Sequence, residues 1–192
     1  MSDRRDRLPP MEPEVFDGSR MDFPTWLKSF EALIEKPTLS VTERLFYLSK
    51  YTSGSAKEAI RYFLTLDDKE AYEKAKNTLV RRFGDKFKVA EAYRTKLNKW
   101  PVIKHGDGEG LQKFSDFLEH CRAAMNSIHY LKCLDDPEEN RKMMSKLPRS
   151  VADRWSRVID NHLYGKHPQS YYSTENEGCY PSFTDFCYTY IN

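Results

Sequence analysis

The sequence predicts an all-α protein built as two helical domains. Three observations carry that reading. Apolar side chains recur every three to four residues through most of the chain, no segment reads as a strand, and the 8 glycines and 10 prolines gather at a few breaks between long elements. The 192 residues fit one large or two small domains. Aromatic residues supply the buried area: 11 Phe, 12 Tyr and 3 Trp offset a mean hydropathy of -0.77 and exclude disorder over the whole length.

Residues 1–21 read as an N-terminal arm broken by Pro9, Pro10 and Pro13, with Val15 and Phe16 available to dock. From Asp22, the spacing of Trp26, Leu27, Phe30, Leu33 and Ile34 predicts a first helix with Pro24 in its opening turn and Pro37 at its end. Ser40 and Glu43 have the spacing of a capping box ahead of a helix through Leu45, Leu48 and Tyr51. Gly54 breaks that helix, and Ser55 with Glu58 repeats the capping spacing before a short third helix through Ala59, Ile60 and Phe63. Asp67 and Glu70 open a fourth, with Tyr72, Ala75, Leu79 and Phe83 on one face and Gly84 as its stop. A fifth runs over about 87–98 through Ala90, Tyr93 and Leu97.

Residues 100–110 hold Pro101 and three glycines, Gly106, Gly108 and Gly110, and there the sequence predicts the domain boundary. The first domain then spans 22–104, a Gly-rich hinge 105–110 and the second domain 111–192. Leu111, Phe114, Phe117, Leu118, Cys121, Met125 and Ile128 mark a long helix as the spine of the second domain. Helices starting at Pro137 and after Pro148, the latter through Val151, Trp155, Val158 and Ile159, continue the pattern. Residues 164–181 read as a Tyr-rich loop, and a last helix starts near Ser182 with its apolar pattern cut short at Asn192, as expected of a piece of a longer protein.

No window is long and apolar enough to span a bilayer, and no apolar stretch follows the charged first residues, so the expectation is a cytoplasmic protein without a membrane contact. The four cysteines, Cys121, Cys133, Cys179 and Cys187, form no CxxC pair and read as reduced thiols. His129 and Cys133, four apart on one helix face, are too few to hold zinc, so no metal and no cofactor is expected. No nucleophile elbow occurs, and the glycines at 106–110 lack the Gly-Lys-Ser/Thr of a phosphate loop, so no enzymatic activity and no small-molecule substrate are expected. Asp135, Asp136, Glu138 and Glu139 flank Pro137 at a helix start, where capping explains them.

Charge is distributed unevenly. Residues 69–104 hold 11 Lys and Arg against four acidic residues, whereas residues 105–192 hold 10 against 13. Arg81, Arg82, Lys86 and Lys88, followed by Arg94, Lys96 and Lys99, suit weak, salt-sensitive contact with RNA phosphates. A solvated helix face that keeps the protein soluble is the plainer reading and the preferred one. The aromatic stripes read as core. Trp100, beside Pro101 at the boundary, and Trp155 are candidate interdomain or intersubunit contacts; Trp26 and Phe46 are weaker ones.

Several blocks resemble a known family. Phe16-Asp17-Gly18, Trp26 with Phe30, Arg44-Leu45-Phe46-Tyr47-Leu48 and the run from Tyr51 to Lys57 resemble the Gag capsid region of BEL/Pao-type LTR retrotransposons. The similarity continues through Arg82-Phe83-Gly84, Trp100-Pro101, Ser145-Lys146-Leu147-Pro148, Arg154-Trp155 and Pro181-Ser182-Phe183. The resemblance implies a retroviral-like capsid: an N-terminal helical domain, a linker and a smaller C-terminal helical domain, self-associating through both domains into a shell around the element's RNA. It further implies that strong RNA binding falls to a zinc knuckle downstream of this segment. The alternative is a capsid-fold adaptor or restriction factor, domesticated by a host, that acts by protein-protein binding without assembly.

Overall fold

The computed structural model describes residues 12–35, 38–66, 68–163 and 180–191. Residues 1–11 of the expected arm, Pro37, Asp67, Asn192 and the Tyr-rich loop up to residue 179 lie outside the described residues. Among the described residues the protein is all-helical: α1 (Phe23–Ile34), α2 (Val41–Lys50), α3 (Gly54–Ile60), α4 (Ala71–Phe83), α5 (Lys86–Lys99), α6 (Gly108–Met125), α7 (Pro137–Met144), α8 (Arg149–Leu163) and α9 (Phe183–Ile191), with 3-10 turns at Arg61–Thr65 and His129–Asp135. The chain forms two compact units that divide between Val89 and Ala90.

The first unit is organised by a staple at the end of the expected arm, where Phe16 docks as the arm reading allowed while Val15 stays exposed. Residues 12–21 are docked: Phe16 pairs with Thr52 in an isolated parallel bridge, its N–H donating to the Tyr51 carbonyl at 2.9 Å while its own carbonyl accepts from Ser53 at 2.8 Å. The indole N–H of Trp26 donates to the Glu14 carbonyl at 3.0 Å. Phe16 is thereby held in an aromatic cluster, with ring centroids 4.9 Å from Trp26, 5.3 Å from Phe23 and 5.3 Å from Phe83. Phe30, Leu48, Ile60, Ala75 and Leu79 complete the buried core.

Gly54 makes the staple possible. Its φ of +48° suits glycine, and a Cβ there would stand 2.9 Å from the Asp17 carbonyl oxygen. Ser55 therefore does not cap α3: its hydroxyl donates to the Asp17 carbonyl at 3.2 Å, while Glu58 pairs with Arg61 at 2.6 Å. The Ser40–Glu43 capping box forms as expected, each residue's side chain accepting from the other's backbone N–H.

Glu35, at the end of α1, is held by two groups of α4. Lys76 Nζ lies 2.7 Å from Glu35 and 2.8 Å from Glu31, and the Tyr72 hydroxyl donates to Glu35. Burial alone would raise the Glu35 pKa, but the Lys76 and Tyr72 hydrogen bonds outweigh it and hold the carboxyl below its ordinary value. A depressed carboxylate pKa stabilises the fold above the unfolded value, and that stability is lost as pH falls through the folded value. The first unit should therefore weaken below about pH 4, and Glu35→Gln should flatten that dependence. Denaturant titrations across this pH range check it; an unchanged slope in Glu35→Gln would contradict it.

In the second unit α6 is the spine, with α9 packed along it; the Cys187 thiol reaches the Leu118 carbonyl at 3.8 Å. Trp155 of α8 is fully buried, its ring perpendicular to Phe186 of α9 at 5.0 Å. Glu139, itself buried, accepts from Arg94 at 3.0 Å and Lys142 at 2.9 Å, joining α5 to α7. Burial opposes the charged form of Glu139, but these two cations hold its pKa below the ordinary value.

The unit division lies inside α5, upstream of the hinge expected at 105–110. Of the glycines there, Gly106 takes a φ of +84°, which suits glycine, just ahead of α6. Asp107 caps α6, its carboxylate accepting from Gly110 N–H at 2.8 Å, and Gly108 and Gly110 form the first turn of the helix. Ile103 N–H donates to the Lys146 carbonyl at 2.8 Å and anchors the segment before the cap.

Candidate functional site

The α4–α5 turn carries the cations singled out by sequence. Arg81 and Arg82 lie in the last turn of α4, where the negative end of the helix dipole favours them. Gly84 keeps the turn tight: a Cβ there would stand 2.7 Å from the Val80 carbonyl oxygen and 2.8 Å from the Phe23 ring. Asp85 then starts α5, its carboxylate accepting from the backbone of Phe87 at 2.9 Å and Lys88 at 3.2 Å.

Arg81, Arg82, Lys86 and Lys88 are all exposed. The Arg82 guanidinium lies 5.7 Å from the centroid of the Phe83 ring. Nearby acids hold other cations: Asp68 and Glu70 hold Lys74, and Glu31 and Glu35 hold Lys76. Among the described residues no ion pair engages the four cations of the turn. Phe87 sits between two of the lysines, 59% exposed. By sequence it is only the opening of the fifth helix; the signal that could have singled it out is an apolar residue bracketed by lysines and off the stripe of Ala90, Tyr93 and Leu97.

The later cations of the basic run are placed differently. Arg94 is bound to Glu139, and Lys96 lies over the Phe117 ring at 4.9 Å from its centroid. The four residues Arg81, Arg82, Lys86 and Lys88 are therefore the coherent part of that run.

Trp100 is half-buried within the second unit, stacked on Phe117 at 5.0 Å and leaning on Phe114 at 5.2 Å. Beside it lie two shallow hollows of about 430 and 380 Å³, both bordered by Trp100 and Lys113. Trp155 is no surface contact. Its complete burial makes it a core side chain, as is Trp26 at 5% exposure, whereas Phe46 is 64% exposed.

Among the described residues the cysteines Cys121, Cys133 and Cys187 are free thiols with raised pKa values. Cys121 is buried and its pKa is pushed up to about 12, and burial likewise raises that of Cys187. His129 and Cys133 fall in a 3-10 turn, where residues four apart no longer share a face. Among the described residues no group of three or more His, Cys, Asp or Glu is placed to hold a metal ion, and no helix is long and apolar enough to cross a membrane.

These features describe an all-helical protein with a basic turn that displays an aromatic ring. The chain belongs to the DUF1759 family, described as a protein of unknown function, which it matches over residues 16–162. The match begins at Phe16, the residue at the centre of the staple. No curated protein and no solved structure matches the chain.

Proposed function

We propose that the chain is a structural, non-enzymatic capsid protein of the retrotransposon Gag type, whose copies associate through both units in the cytoplasm and package RNA. One observation supports the reading: those of the blocks resembling the Gag capsid region that fall in the first unit meet in its core. Phe16-Asp17-Gly18 and the Tyr51–Lys57 run, far apart in sequence, pair through backbone hydrogen bonds, and Trp26, Phe30 and Phe83 close over Phe16 or pack beside it. The resemblance thus lies in the scaffold, where a shared fold requires it.

Shell assembly needs many weak, identical contacts, each individually reversible, repeated under a closed symmetry. Weak contacts give a mass that rises with protein concentration. Sedimentation velocity should therefore record species far larger than the 22.6 kDa chain as concentration increases. A single dimer, unchanged across the series, would instead favour an adaptor that binds a protein partner without assembling.

A further inference from the structure

We propose that α2 pairs with α2 of a second copy of this chain, antiparallel across a two-fold axis. Phe46 meets Phe46 of the partner subunit at the axis, and Glu43 of each copy faces Lys50 of the other. The inference deepens the association half of the proposed function, and rests on it only for the growth of such pairs into a shell. Leu45 and Leu48 hold one face of α2 against the core. Glu43, Phe46 and Lys50, at i, i+3 and i+7, fall on the opposite face, and all three are exposed. A single exposed apolar side chain needs no partner. Phe46 is set apart by its neighbours: it is 64% exposed, and its ring meets that of Tyr47 edge to face at 5.7 Å.

The charges around Phe46 fix both the occupant and its direction. Glu43 lies one turn before Phe46 and Lys50 one turn after it, about 10 Å apart along the axis and too far to pair with each other. A second α2 laid antiparallel over Phe46 brings the acid of each helix against the base of the other and opposes the two helix dipoles favourably. A parallel copy would set like charges together. Both charges are open to this exchange. Among the described residues the Glu43 carboxylate bonds through Oε2 alone, which accepts from the backbone N–H and hydroxyl of Ser40 at 2.8 and 2.7 Å. Lys50 meets Glu12 at 3.2 Å with side chains 43% and 55% exposed, and surface pairs of this kind are exchanged at little cost. A contact between two ten-residue helices is smaller than the interface of a stable dimer, so the pairing is weak and reversible.

The test is sedimentation equilibrium of the wild type and of variants at position 46, over a concentration series. Phe46→Ala should weaken self-association about tenfold, and Phe46→Trp should retain it. A residue on a two-fold axis meets itself, so Phe46→Lys and Phe46→Glu should each fail to pair alone, while an equimolar mixture of the two should form the pair that neither forms by itself. The side chain is exposed, so all these variants should keep the wild-type helical spectrum.

Association indifferent to Phe46→Ala overturns the proposal, as does a wild-type chain that stays monomeric at every concentration. So does a mixture of the Phe46→Lys and Phe46→Glu variants that pairs no better than either alone, which would place Phe46 against a different surface of the next copy. A chain that forms large particles whatever stands at position 46 loses this contact and keeps the capsid reading. A Phe46-dependent pair that grows no further keeps the contact and loses that reading.

Discussion

Replacing Phe16 with alanine is expected to cost the first unit about 3–5 kcal/mol, the range for truncating a buried phenylalanine. The ring is 3% exposed and meets Phe23, Trp26 and Phe83 at centroid distances near 5 Å. Its backbone is fixed on both sides by hydrogen bonds to Tyr51 and Ser53, so the segment cannot slide inward to refill the space. Domains are stable by only about 5–15 kcal/mol, so a loss of this size removes much of the margin. Phe16→Leu, which conserves most of the volume, should cost under about 1.5 kcal/mol. Urea denaturation followed by circular dichroism checks the series. Equal stability of Phe16→Ala and wild type would contradict a docked Phe16.

Trp155→Ala should have an effect of similar size in the second unit, about 3–5 kcal/mol. The indole is completely buried and packs edge to face on Phe186, so its removal leaves a cavity and loses an aromatic pair. Trp155→Phe should be milder and still lower the melting temperature. The comparison separates core from interface. An interface tryptophan would leave thermal stability unchanged when replaced and act only on the concentration dependence of association. Unchanged melting in Trp155→Ala would contradict the assignment to the core.

The helices are legible in the sequence because burial imposes a period: the stripes Trp26–Phe30–Ile34, Tyr72–Ala75–Leu79 and Phe114–Leu118–Cys121 all face their cores. The features that sequence does not reveal share a physical reason, in that distant partners settle the local signals. Ser55 and Glu58 have capping spacing, but the serine hydroxyl is taken by the Asp17 carbonyl, which the Phe16–Thr52 bridge brings near. That bridge is a single residue pair and leaves no periodic pattern to read. The glycines at 106–110 punctuate the chain as strongly in a capped helix start as in a hinge, and the Asp107 cap, made by a side chain to the backbone, is what the glycine pattern alone does not reveal. At the candidate site, the charges of Arg81, Arg82, Lys86 and Lys88 are plain in the sequence, whereas the exposure of Phe87 is set by which side of α5 its neighbours cover.

Association of many copies of this chain into a shell is tested most directly by negative-stain microscopy of the purified protein, titrated in concentration and salt with and without RNA. Ordered particles or tubes are expected, favoured at high concentration and with RNA present. Fields empty of assemblies across the whole titration, from a chain that remains folded, would contradict the capsid reading.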